Sequence, residues 1–417
     1  MERLKKDLNA MIAHCAGLPP NPTQEQLVNM TTKMAAGLES DSVSLPVRIK
    51  EIISDGFSEM GWDYTRKRIL PGASSKVNFN GLVSSLQLIL AEVENWSPTV
   101  LPTDEELASL SVACNKLWEL DVNRLVPGKD YEIYLQRGKK MYDTEDAASK
   151  PLFTFVDEKA LLRPTYAAFI ALLDNYIAAT GQSEVVTEEE KKENMQFLNL
   201  IMDTAVMQYV HQYLLAAKKT KAVSRDQFIR ELNDLWFGLY SRKVKNDSSG
   251  FEHVFTGEIT EKNGKAEVVG MHNWIQLYME EKKNKLDYRG YIKPKRRGLS
   301  NALPSELEQL VTIQFIWNGE LKPVSSTLVG TSPEFEMALY TLCFYHDETV
   351  IPAENEVVLG PYRVMITCHV WNSAGKKYIA TSFPSEIPLD EDEAATKIQS
   401  QMKMKTAKKE VDNKRRG

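Results

Sequence analysis

The chain has 417 residues, of which 51 are lysine or arginine and 57 are aspartate or glutamate, so its formal net charge at pH 7 is -6. This balance argues against a protein that coats nucleic acid through its overall charge, because phosphate binding depends on accumulated lysine and arginine. The hydrophobic fraction of 43% and the charged fraction of 26% are typical of a globular chain rather than a disordered or membrane one. At roughly 150 residues per domain, the length allows two or three domains.

The sequence shows no segment that addresses the chain to a membrane or a secretory route. No apolar run approaches the roughly 20 residues that span a bilayer. The charged start lacks the apolar stretch of a signal peptide, so we expect an intracellular location and no membrane partner. The cysteines show neither a CxxC pair nor metal-type spacing, which predicts free and buried thiols.

The first hundred residues are interrupted by prolines and contain two segments with helical apolar spacing, at 47–60 and 82–93. Neither carries a recognisable chemical motif. We interpret residues 1–100 as an accessory helical module of unknown role. Residues 96–104 are interpreted as a linker, with Thr103 as the cap of the next helix.

Residues from 105 to about 243 are again mostly helical in pattern, whereas the period changes to two beyond residue 250. The expected helices are 105–120, 164–180, 188–217 and 225–241. Turn pairs at Asn263-Gly264 and Asn318-Gly319 mark hairpins. We therefore predict an α+β fold, in which a helical lobe (about 105–243) precedes a mainly antiparallel β lobe (about 250–386) within a domain at 105–388.

Two of the six histidines, His253 and His272, flank the first predicted hairpin. With a two-residue turn at Asn263-Gly264, His272 lies opposite Phe255 and His253 lies diagonal to it on the same face, about 7 to 8 Å away. Two imidazoles that converge in this way can act as a paired acid and base. Metal binding and a purely structural pairing remain open alternatives.

The second and third predicted hairpins add further polar and aromatic side chains. Lys322 and Ser326 have the same parity, so an extended strand would place both on one face, although Pro323 makes this strand an edge or irregular one. A lysine beside two histidines can stabilise negative charge that develops on a phosphate. The third predicted hairpin, formed by residues 362–371 and 376–383, places Thr381 and Phe383 on a common face.

These residues lie in segments that resemble the poly(U)-specific endoribonuclease (EndoU) family. The likeness covers roughly residues 105–386, with its motifs in the family's order. They are 115–121 (NKLWELD), 127–131 (PGKDY), 172–176 (LLDNY), 249–258 (SGFEHVFTGE), 272–278 (HNWIQLY), 332–336 (SPEFE) and 378–381 (YIAT).

The resemblance implies a metal-stimulated endoribonuclease that cleaves single-stranded RNA at uridines and leaves a 2′,3′-cyclic phosphate and a 5′-hydroxyl. By position it assigns His272 as the base, His253 as the acid and Lys322 as the electrostatic stabiliser. Such chemistry needs a base for the 2′-OH proton, an acid for the leaving 5′-oxygen and a cation for the phosphorane. A catalytically silent RNA-binding protein on the same scaffold is the alternative.

The resemblance also places Ser326, Thr381 and Phe383 at or near the uracil pocket. Related enzymes have tyrosine where this chain has Phe383, so stacking on the base is kept and a phenol hydrogen bond is lost. Glu252 and Glu258 match acidic family positions, and in the predicted hairpin register both point away from the histidines. We expect them to act behind the histidines or near the Ca²⁺ or Mn²⁺ that the family implies.

Two basic segments suggest further contacts. Residues 282–297 contain eight lysines or arginines with Tyr288 and Tyr291 interleaved, a pattern that can guide RNA or form a solvated loop, and residues 293–297 look like a nuclear-import signal. In the basic tail at 389–417, residues 394–409 resemble an IQ motif, so they predict either a calmodulin-binding helix or a disordered tail.

Overall fold

A computed structural model describes residues 2–16, 23–41, 62–63, 68–69, 79–95, 101–262, 264–293, 307–346, 352–373 and 375–387. The chain divides into two compact units, Met1–Val100 with Asp203–Ala205, and Leu101–Met202 with Val206–Gly417. The predicted helix at 47–60, the nuclear-import-like segment beyond Lys293 and the whole basic tail lie outside the described residues. Within the described residues, no helix is both long and apolar enough to cross a bilayer.

The first unit contains helices and one short strand pair. Its described elements are α1 (Glu2–Ala16), α2 (Gln24–Asp41), β1 (Trp62–Asp63), β2 (Arg68–Ile69) and α3 (Phe79–Asn95). Helix α3 confirms the predicted helix at 82–93, and it packs against α1. Leu8, Leu82 and Leu86 are buried because apolar residues recur on one face of each helix.

The second unit begins with helices and three short strands. These elements are α4 (Asp104–Ala108), α5 (Leu110–Leu120), β3 (Tyr131–Ile133), β4 (Gly138–Lys139), β5 (Phe153–Val156), α6 (Pro164–Ala171), α7 (Glu188–Met202), α8 (Ala205–Ala216) and α9 (Arg225–Phe237). The hydroxyl of Thr103 accepts from the backbone N–H of Glu106, so the predicted cap is confirmed.

Several predicted helices are shorter than expected because local backbone chemistry interrupts them. The predicted helix at 105–120 breaks at Ser109, whose extended backbone allows its hydroxyl to accept from Val112 N at 3.4 Å and cap α5. The segment at 164–180 leaves the α-helix at Leu172 through a 3-10 turn. The long helix at 188–217 is two helices, and the helix expected to reach residue 241 ends at Phe237.

The remaining elements form the β-rich part of the second unit. They are β6 (Glu258–Lys262), β7 (Lys265–Val269), α10 (Trp274–Lys282), β8 (Leu286–Ile292), β9 (Leu310–Trp317), β10 (Glu320–Leu328), α11 (Pro333–His346), β11 (Ala353–Leu359), β12 (Tyr362–Ser373) and β13 (Lys376–Glu386). The predicted α+β fold is confirmed. The helices are mostly N-terminal, although α10 and α11 lie among the later strands.

Among the described residues, two larger sheets organise this region. One has the order β10-β9-β8-β4, in which only β4 pairs parallel, and the other has the antiparallel order β11-β12-β13. The hairpin between β9 and β10 turns at Asn318-Gly319 as predicted, since both residues have positive φ (49° and 88°). Strand β13 contacts β9 and β10, which brings the two sheets together.

A cluster of aromatic rings joins the helices to the segment that carries His253. Phe251 and Phe255 lie 5.1 Å apart, between ring centroids, on either side of that histidine. Phe251 stacks on Phe237 at 4.9 Å, and Phe255 stacks on Trp236 at 5.2 Å. All four rings are buried or nearly so, so α9 provides a rigid base for the histidine between them.

Candidate active site

His253 lies in a π-helical turn, Glu252–Thr256, and not on a strand as the sequence pattern suggested. The turn ends at Gly257, whose φ of 84° interrupts the alternation of side chains before β6 begins at Glu258. The hairpin register itself is as predicted, with Glu258 opposite Val269. The diagonal strand pairing of the two histidines was therefore wrong, because the first histidine leaves the strand.

Backbone hydrogen bonds nevertheless bring the two histidines together. The N–H of Met271 donates to the carbonyl of His253 at 3.2 Å, and the N–H of His272 donates to the carbonyl of Val254 at 2.9 Å. Met271 has a φ of 57°, a left-handed backbone that is uncommon for a residue with a side chain. The end of β7 is thus bent onto the π turn, and it places His272 beside His253.

Two glycines make this close approach possible. A Cβ atom on Gly270 would lie 1.7 Å from the carbonyl oxygen of His253, and one on Gly257 would lie 2.7 Å from the Cβ of Met271. Both glycines also have positive φ. Neither position can carry a larger residue without moving the histidine segment.

The Nδ1 atom of His253 contacts the carboxylate of Glu258 and lies 3.0 Å from Nη1 of Arg242. Because a carboxylate only accepts, the imidazole carries its proton on Nδ1 and donates it to Glu258. Burial opposes the ionisation of Glu258, but hydrogen bonding to His253 and the charge of Arg242 hold its pKa below its ordinary value. The prediction that Glu258 points away from the histidines was wrong. It assumed that side chains alternate between faces from His253 to Glu258, and Gly257 interrupts that alternation.

Glu252 is also buried, directly before His253 in the same π turn. Burial and the negative charges of Glu258 and Glu184 raise its pKa to about 9, and its Oε2 atom has no hydrogen-bond partner among the described residues. Glu252 is therefore held as a neutral acid at pH 7, next to the hydrogen-bonded pair of His253 and Glu258.

His272 has different partners. Its Nδ1 atom lies 3.2 Å from the backbone carbonyl of Ser326 and 3.3 Å from the hydroxyl of Ser325, and that hydroxyl donates to the carbonyl of Met271. Since a carbonyl only accepts, Nδ1 carries the proton and Nε2 presents a lone pair. The ring of Phe383 stacks on the imidazole, with centroids 5.0 Å apart and planes 24° apart.

Burial lowers the pKa of both histidines, but not equally. For His272, the positive charges of Lys322 and His253 add to burial and hold the pKa well below its ordinary value. For His253, the hydrogen bond and charge of Glu258 work against the lowering by burial. The environment therefore favours neutral His272 and makes protonation easier at His253.

Lys322 is the buried cation of this site, on the edge strand β10. Its ammonium group has no hydrogen bond or close ion pair with any described residue. Burial lowers its pKa to about 8, and the negative charge of Glu267 works against that lowering. It lies within electrostatic range of both histidines, because its charge contributes to lowering the pKa of each. A buried, unpaired ammonium group beside two imidazoles suits an anionic ligand.

A β-bulge at Pro323 changes which serine shares a face with Lys322. Lys322 pairs with Phe315 and Ser325 pairs with Ile313, two positions apart on β9, so Lys322 and Ser325 share a face. Ser326 pairs with Thr312 on the other face, where the two hydroxyl oxygens lie 2.8 Å apart. The prediction of a common face for Lys322 and Ser326 was wrong, because the bulge adds one residue between them.

The structure places Thr381 and Phe383 on one face of β13, as predicted, since they pair with His369 and Thr367 on β12. Both side chains are half-buried. A second bulge leaves Ala380 unpaired, and its carbonyl accepts from Nη2 of Arg242 at 2.6 Å. Of these two β13 residues, Phe383 makes the direct contact with His272.

Arg242 is a site residue that the sequence pattern did not indicate. Its guanidinium group bridges the carboxylate of Glu258 and the carbonyl of Ala380, and it lies next to His253. The loop that carries it is held by the carboxylate of Asp247, which accepts from three backbone N–H groups at 2.7 to 3.0 Å. No motif surrounds Arg242, so only the packing of the loop against β13 shows its role.

The basic segment at 282–297 does not form an RNA-stacking surface within its described part. Tyr288 and Tyr291 are buried in the sheet, because β8 is an interior strand between β9 and β4. Lys282 contacts Glu158, and Lys283 lies 3.0 Å from Glu280. The described tyrosines are thus unavailable for stacking on bases.

Comparison with known proteins identifies a family for the part of the chain that carries this site. The family model for endoribonuclease XendoU matches residues 109–384 of the chain. The chain belongs to the XendoU endoribonuclease family.

Individual XendoU relatives match the same region. A poly(U)-specific endoribonuclease-B of Xenopus laevis is 44% identical over 285 residues, which cover 66% of this chain and 93% of the relative. A human uridylate-specific endoribonuclease is 40% identical over 300 residues, 70% of this chain and 68% of the relative. A solved structure of XendoU, titled a splicing-independent snoRNA-processing endoribonuclease, is 42% identical with a TM-score of 0.58, and the match covers 69% of this chain and 98% of that one.

The XendoU match includes all the candidate site residues and confirms the resemblance that the sequence motifs carried. It also includes Arg242 and Gly270, which lie outside the quoted sequence motifs. Residues 1–100 lie outside the matched region.

We predict that Gly270→Ala lowers RNA cleavage by roughly 100-fold, because its Cβ must displace the carbonyl of His253 and shifts of about 1 Å carry costs of that size. Steady-state cleavage of a uridine-containing oligonucleotide measures the effect. Gly264→Ala is the matched control, since Gly264 also has positive φ (74°) and a Cβ there would meet nothing within 4 Å. Equal rates for the two variants would contradict the steric role of Gly270.

Proposed function

We propose that this protein is a uridylate-preferring endoribonuclease that cleaves single-stranded RNA by attack of a ribose 2′-OH on the adjacent phosphate. The products are a 2′,3′-cyclic phosphate and a 5′-hydroxyl. The observation that carries the proposal is the convergence of two buried imidazoles with an unpaired buried ammonium group. The names of the relatives, which are poly(U)- or uridylate-specific endoribonucleases, support the substrate.

His272 serves as the general base in this proposal. Its Nδ1 proton is held toward the carbonyl of Ser326, which leaves the Nε2 lone pair to accept a proton from the 2′-OH. The pKa of His272, lowered well below its ordinary value by burial and by Lys322, keeps the imidazole neutral at pH 7. A neutral imidazole is the form that a base requires.

His253 serves as the general acid that protonates the leaving 5′-oxygen. Glu258 accepts the Nδ1 proton and favours the imidazolium form, whose Nε2–H is then the proton to deliver. Arg242 holds the carboxylate in place and keeps it ionised. These environments support the assignment of base and acid to different histidines, which the two side chains alone do not distinguish.

Lys322 supplies positive charge to the non-bridging oxygens of the phosphorane. Its positive charge is preorganised, because the ammonium group is buried and has no close ion-pair partner among the described residues. With a pKa of about 8, Lys322 remains mostly protonated at pH 7. Its charge also favours the neutral form of His272.

Uracil is proposed to bind beside Phe383, between Thr381 and the β10 serines. The Phe383 ring stacks on His272 through one face, so a uracil bound beside Phe383 would lie next to the proposed general base. Ser326 contributes to the site mainly through its carbonyl, which orients His272. Its hydroxyl is paired with that of Thr312. Ser325 is a further hydroxyl on the face of Lys322.

A Ca²⁺ or Mn²⁺ requirement is part of the proposal. Glu258 is engaged with His253 and Arg242, and in the described part of the chain no group of three or more histidine, cysteine, aspartate or glutamate side chains is arranged to hold a metal ion. Glu252 and Glu258 therefore support His253 rather than form a metal site by themselves. A cation bound elsewhere would supply positive charge that offsets the buried carboxylates.

We predict that His272→Ala reduces cleavage of a uridine-containing oligonucleotide by roughly 10² to 10⁴-fold, the usual contribution of a general base. Product analysis by mass should show a cyclic phosphate on the 5′ fragment of the wild-type reaction. His346→Ala is the control, since His346 is exposed at the end of α11 and outside the histidine pair. RNA binding without any cleavage by the wild type would favour the catalytically silent RNA-binding alternative.

We predict that Glu258→Gln moves the alkaline limb of the pH–rate profile to lower pH. Glu258 raises the pKa of His253, so its neutral replacement lowers that pKa and the acid loses its proton at a lower pH. The acidic limb, which reports His272, should move less. Glu261→Gln, exposed on the same strand, is the charge-matched control, and an unmoved alkaline limb would refute the pairing.

An interaction of residues 394–409 with calmodulin, in an intracellular setting, remains a proposal based on the IQ-like sequence. We predict that the full chain is captured on calmodulin resin only with Ca²⁺, and that deletion of residues 390–417 abolishes capture while cleavage is unchanged. Capture that survives the deletion would contradict it.

A further inference from the structure

An exposed loop that none of the roles above uses carries aromatic and basic side chains next to the four-stranded sheet. The 134–150 loop runs from Tyr134 to Lys150 and includes β4, the strand that pairs with β8. The side chain of Tyr142 is 75% exposed, and that of Tyr134 is 39% exposed. Unlike the buried tyrosines of β8, these two rings are accessible to a ligand.

A lysine lies over the ring of each exposed tyrosine. The Nζ atom of Lys140 is 5.7 Å from the ring centroid of Tyr142. The Nζ atom of Lys150 is 6.0 Å from the ring centroid of Tyr134. Both lysines are exposed, and neither forms an ion pair with another described residue. Each pair thus combines a ring on which a base can stack with a positive charge for a phosphate, the combination that binds single strands.

Hydrogen bonds within the 134–150 loop hold its backbone in place. Gln136 accepts from the N–H groups of Ser149 and Lys150 through Oε1 at 2.9 and 3.1 Å, and its amide nitrogen donates to the Lys150 carbonyl at 2.6 Å. The Nζ atom of Lys139 donates to the carbonyl of Glu145 at 2.6 Å. The bonds of Gln136 join the two ends of the loop, and the bond of Lys139 fastens its middle to β4. A ligand would therefore meet a backbone that is already ordered, which reduces the entropic cost of binding.

The loop also contains acidic side chains that limit its charge. It has three carboxylates, at residues 143, 145 and 146, and four basic side chains, at residues 137, 139, 140 and 150, for a net charge of +1. The carboxylate of Asp143 accepts from the N–H of Glu145 at 3.1 Å. That of Asp146 accepts from the N–H of Ala148 at 2.9 Å and lies 3.3 Å from Nη1 of Arg289. Affinity of this loop for a nucleic acid therefore depends on stacking more than on charge.

The side chain of Gln314 connects the loop to the strand that carries Lys322. Its Nε2 atom donates to the carbonyl of Asp143 at 3.1 Å and to the carbonyl of Pro323 at 3.3 Å. Asp143 directly follows Tyr142, and the bulge at Pro323 directly follows the buried lysine. The part of the loop that carries Tyr142 therefore reaches the bulge beside Lys322.

The bulge also leaves an open route between the loop and the histidine site. Gln314 lies on the opposite face of β9 from Phe315, the pairing partner of Lys322, so a ligand that contacts both faces must cross β10. In the sheet that the described residues form, β10 is an edge strand, and Pro323 at its bulge is exposed. An RNA strand can therefore leave the site over Pro323 and reach the 134–150 loop.

We infer that the 134–150 loop is a second contact surface for the RNA substrate, where bases outside the cleaved linkage stack on Tyr134 and Tyr142. Lys140 and Lys150 contact the phosphates of these nucleotides. The inference rests on the proposed function, because it assigns the loop to the substrate strand of the histidine site. Stacking tolerates any base, so this surface adds affinity without adding to the preference for uridine.

Fluorescence anisotropy of a labelled RNA strand of about ten nucleotides, within the usual range of single-strand sites, tests this inference with the full chain. The single uridine of the strand lacks its 2′-OH, so the proposed reaction cannot cleave it. Tyr134→Leu and Tyr142→Leu should each weaken Kd by roughly tenfold, the loss expected for one stacked base. Tyr134→Phe and Tyr142→Phe should bind as the wild type does, because they keep the aromatic face.

Met141→Ala is the matched control, because Met141 is 43% exposed in the same loop and has no aromatic ring. Kd values of both leucine variants equal to that of Met141→Ala would overturn the surface, as would equal losses in the leucine and phenylalanine variants or a wild type that does not bind the strand. Cleavage of a uridine-containing dinucleotide by the wild type measures the proposed nuclease separately. Ring-dependent strand binding without dinucleotide cleavage would support the surface and count against the nuclease.

Discussion

The site depends on the two backbone hydrogen bonds that fasten the end of β7 to the π turn. They join Met271 N–H to the carbonyl of His253 and His272 N–H to the carbonyl of Val254, so each histidine is held by the segment of the other. Side-chain interactions alone would leave two imidazoles on separate elements free to drift apart. The close contact demands Gly257 and Gly270, and it also forces Met271 into a left-handed conformation. The surrounding aromatic core stabilises this strained backbone.

The same contact allows two chemically identical imidazoles to differ in how easily they are protonated. Each imidazole has its Nδ1 fixed by an acceptor, and the two acceptors differ in charge: a carboxylate for His253 and a backbone carbonyl for His272. A carboxylate stabilises the imidazolium, whereas a neutral carbonyl only fixes the tautomer. Lys322 widens the difference, because its positive charge adds to the burial that keeps His272 neutral. The proposed division of roles thus depends on the partner of Nδ1 in each ring, and not on Nε2, the atom that would face the substrate.

The features that the sequence predicts correctly are those that local residue preferences determine. The hairpin turns at Asn318-Gly319 and before β7 follow from local backbone preference, and so does the cap at Thr103. The predicted side-chain faces were wrong where one residue interrupted the alternation of side chains along a strand. Gly257 removes His253 from its strand, and the bulge at Pro323 exchanges Ser326 for Ser325 on the face of Lys322. A period-two pattern contains no mark of either event, since a bulge alters geometry without altering composition.

Arg242 shows a second limit, because its importance comes from contacts between distant parts of the chain. The guanidinium group touches Glu258, 16 residues away, and the carbonyl of Ala380, 138 residues away. That carbonyl is available only because Ala380 bulges out of the pairing between β12 and β13. The next residue is Thr381, on the face where uracil is proposed to bind. One guanidinium group therefore connects the strand of the proposed base pocket to the carboxylate that accepts from His253. Displacement of that strand would therefore also disturb the proposed general acid.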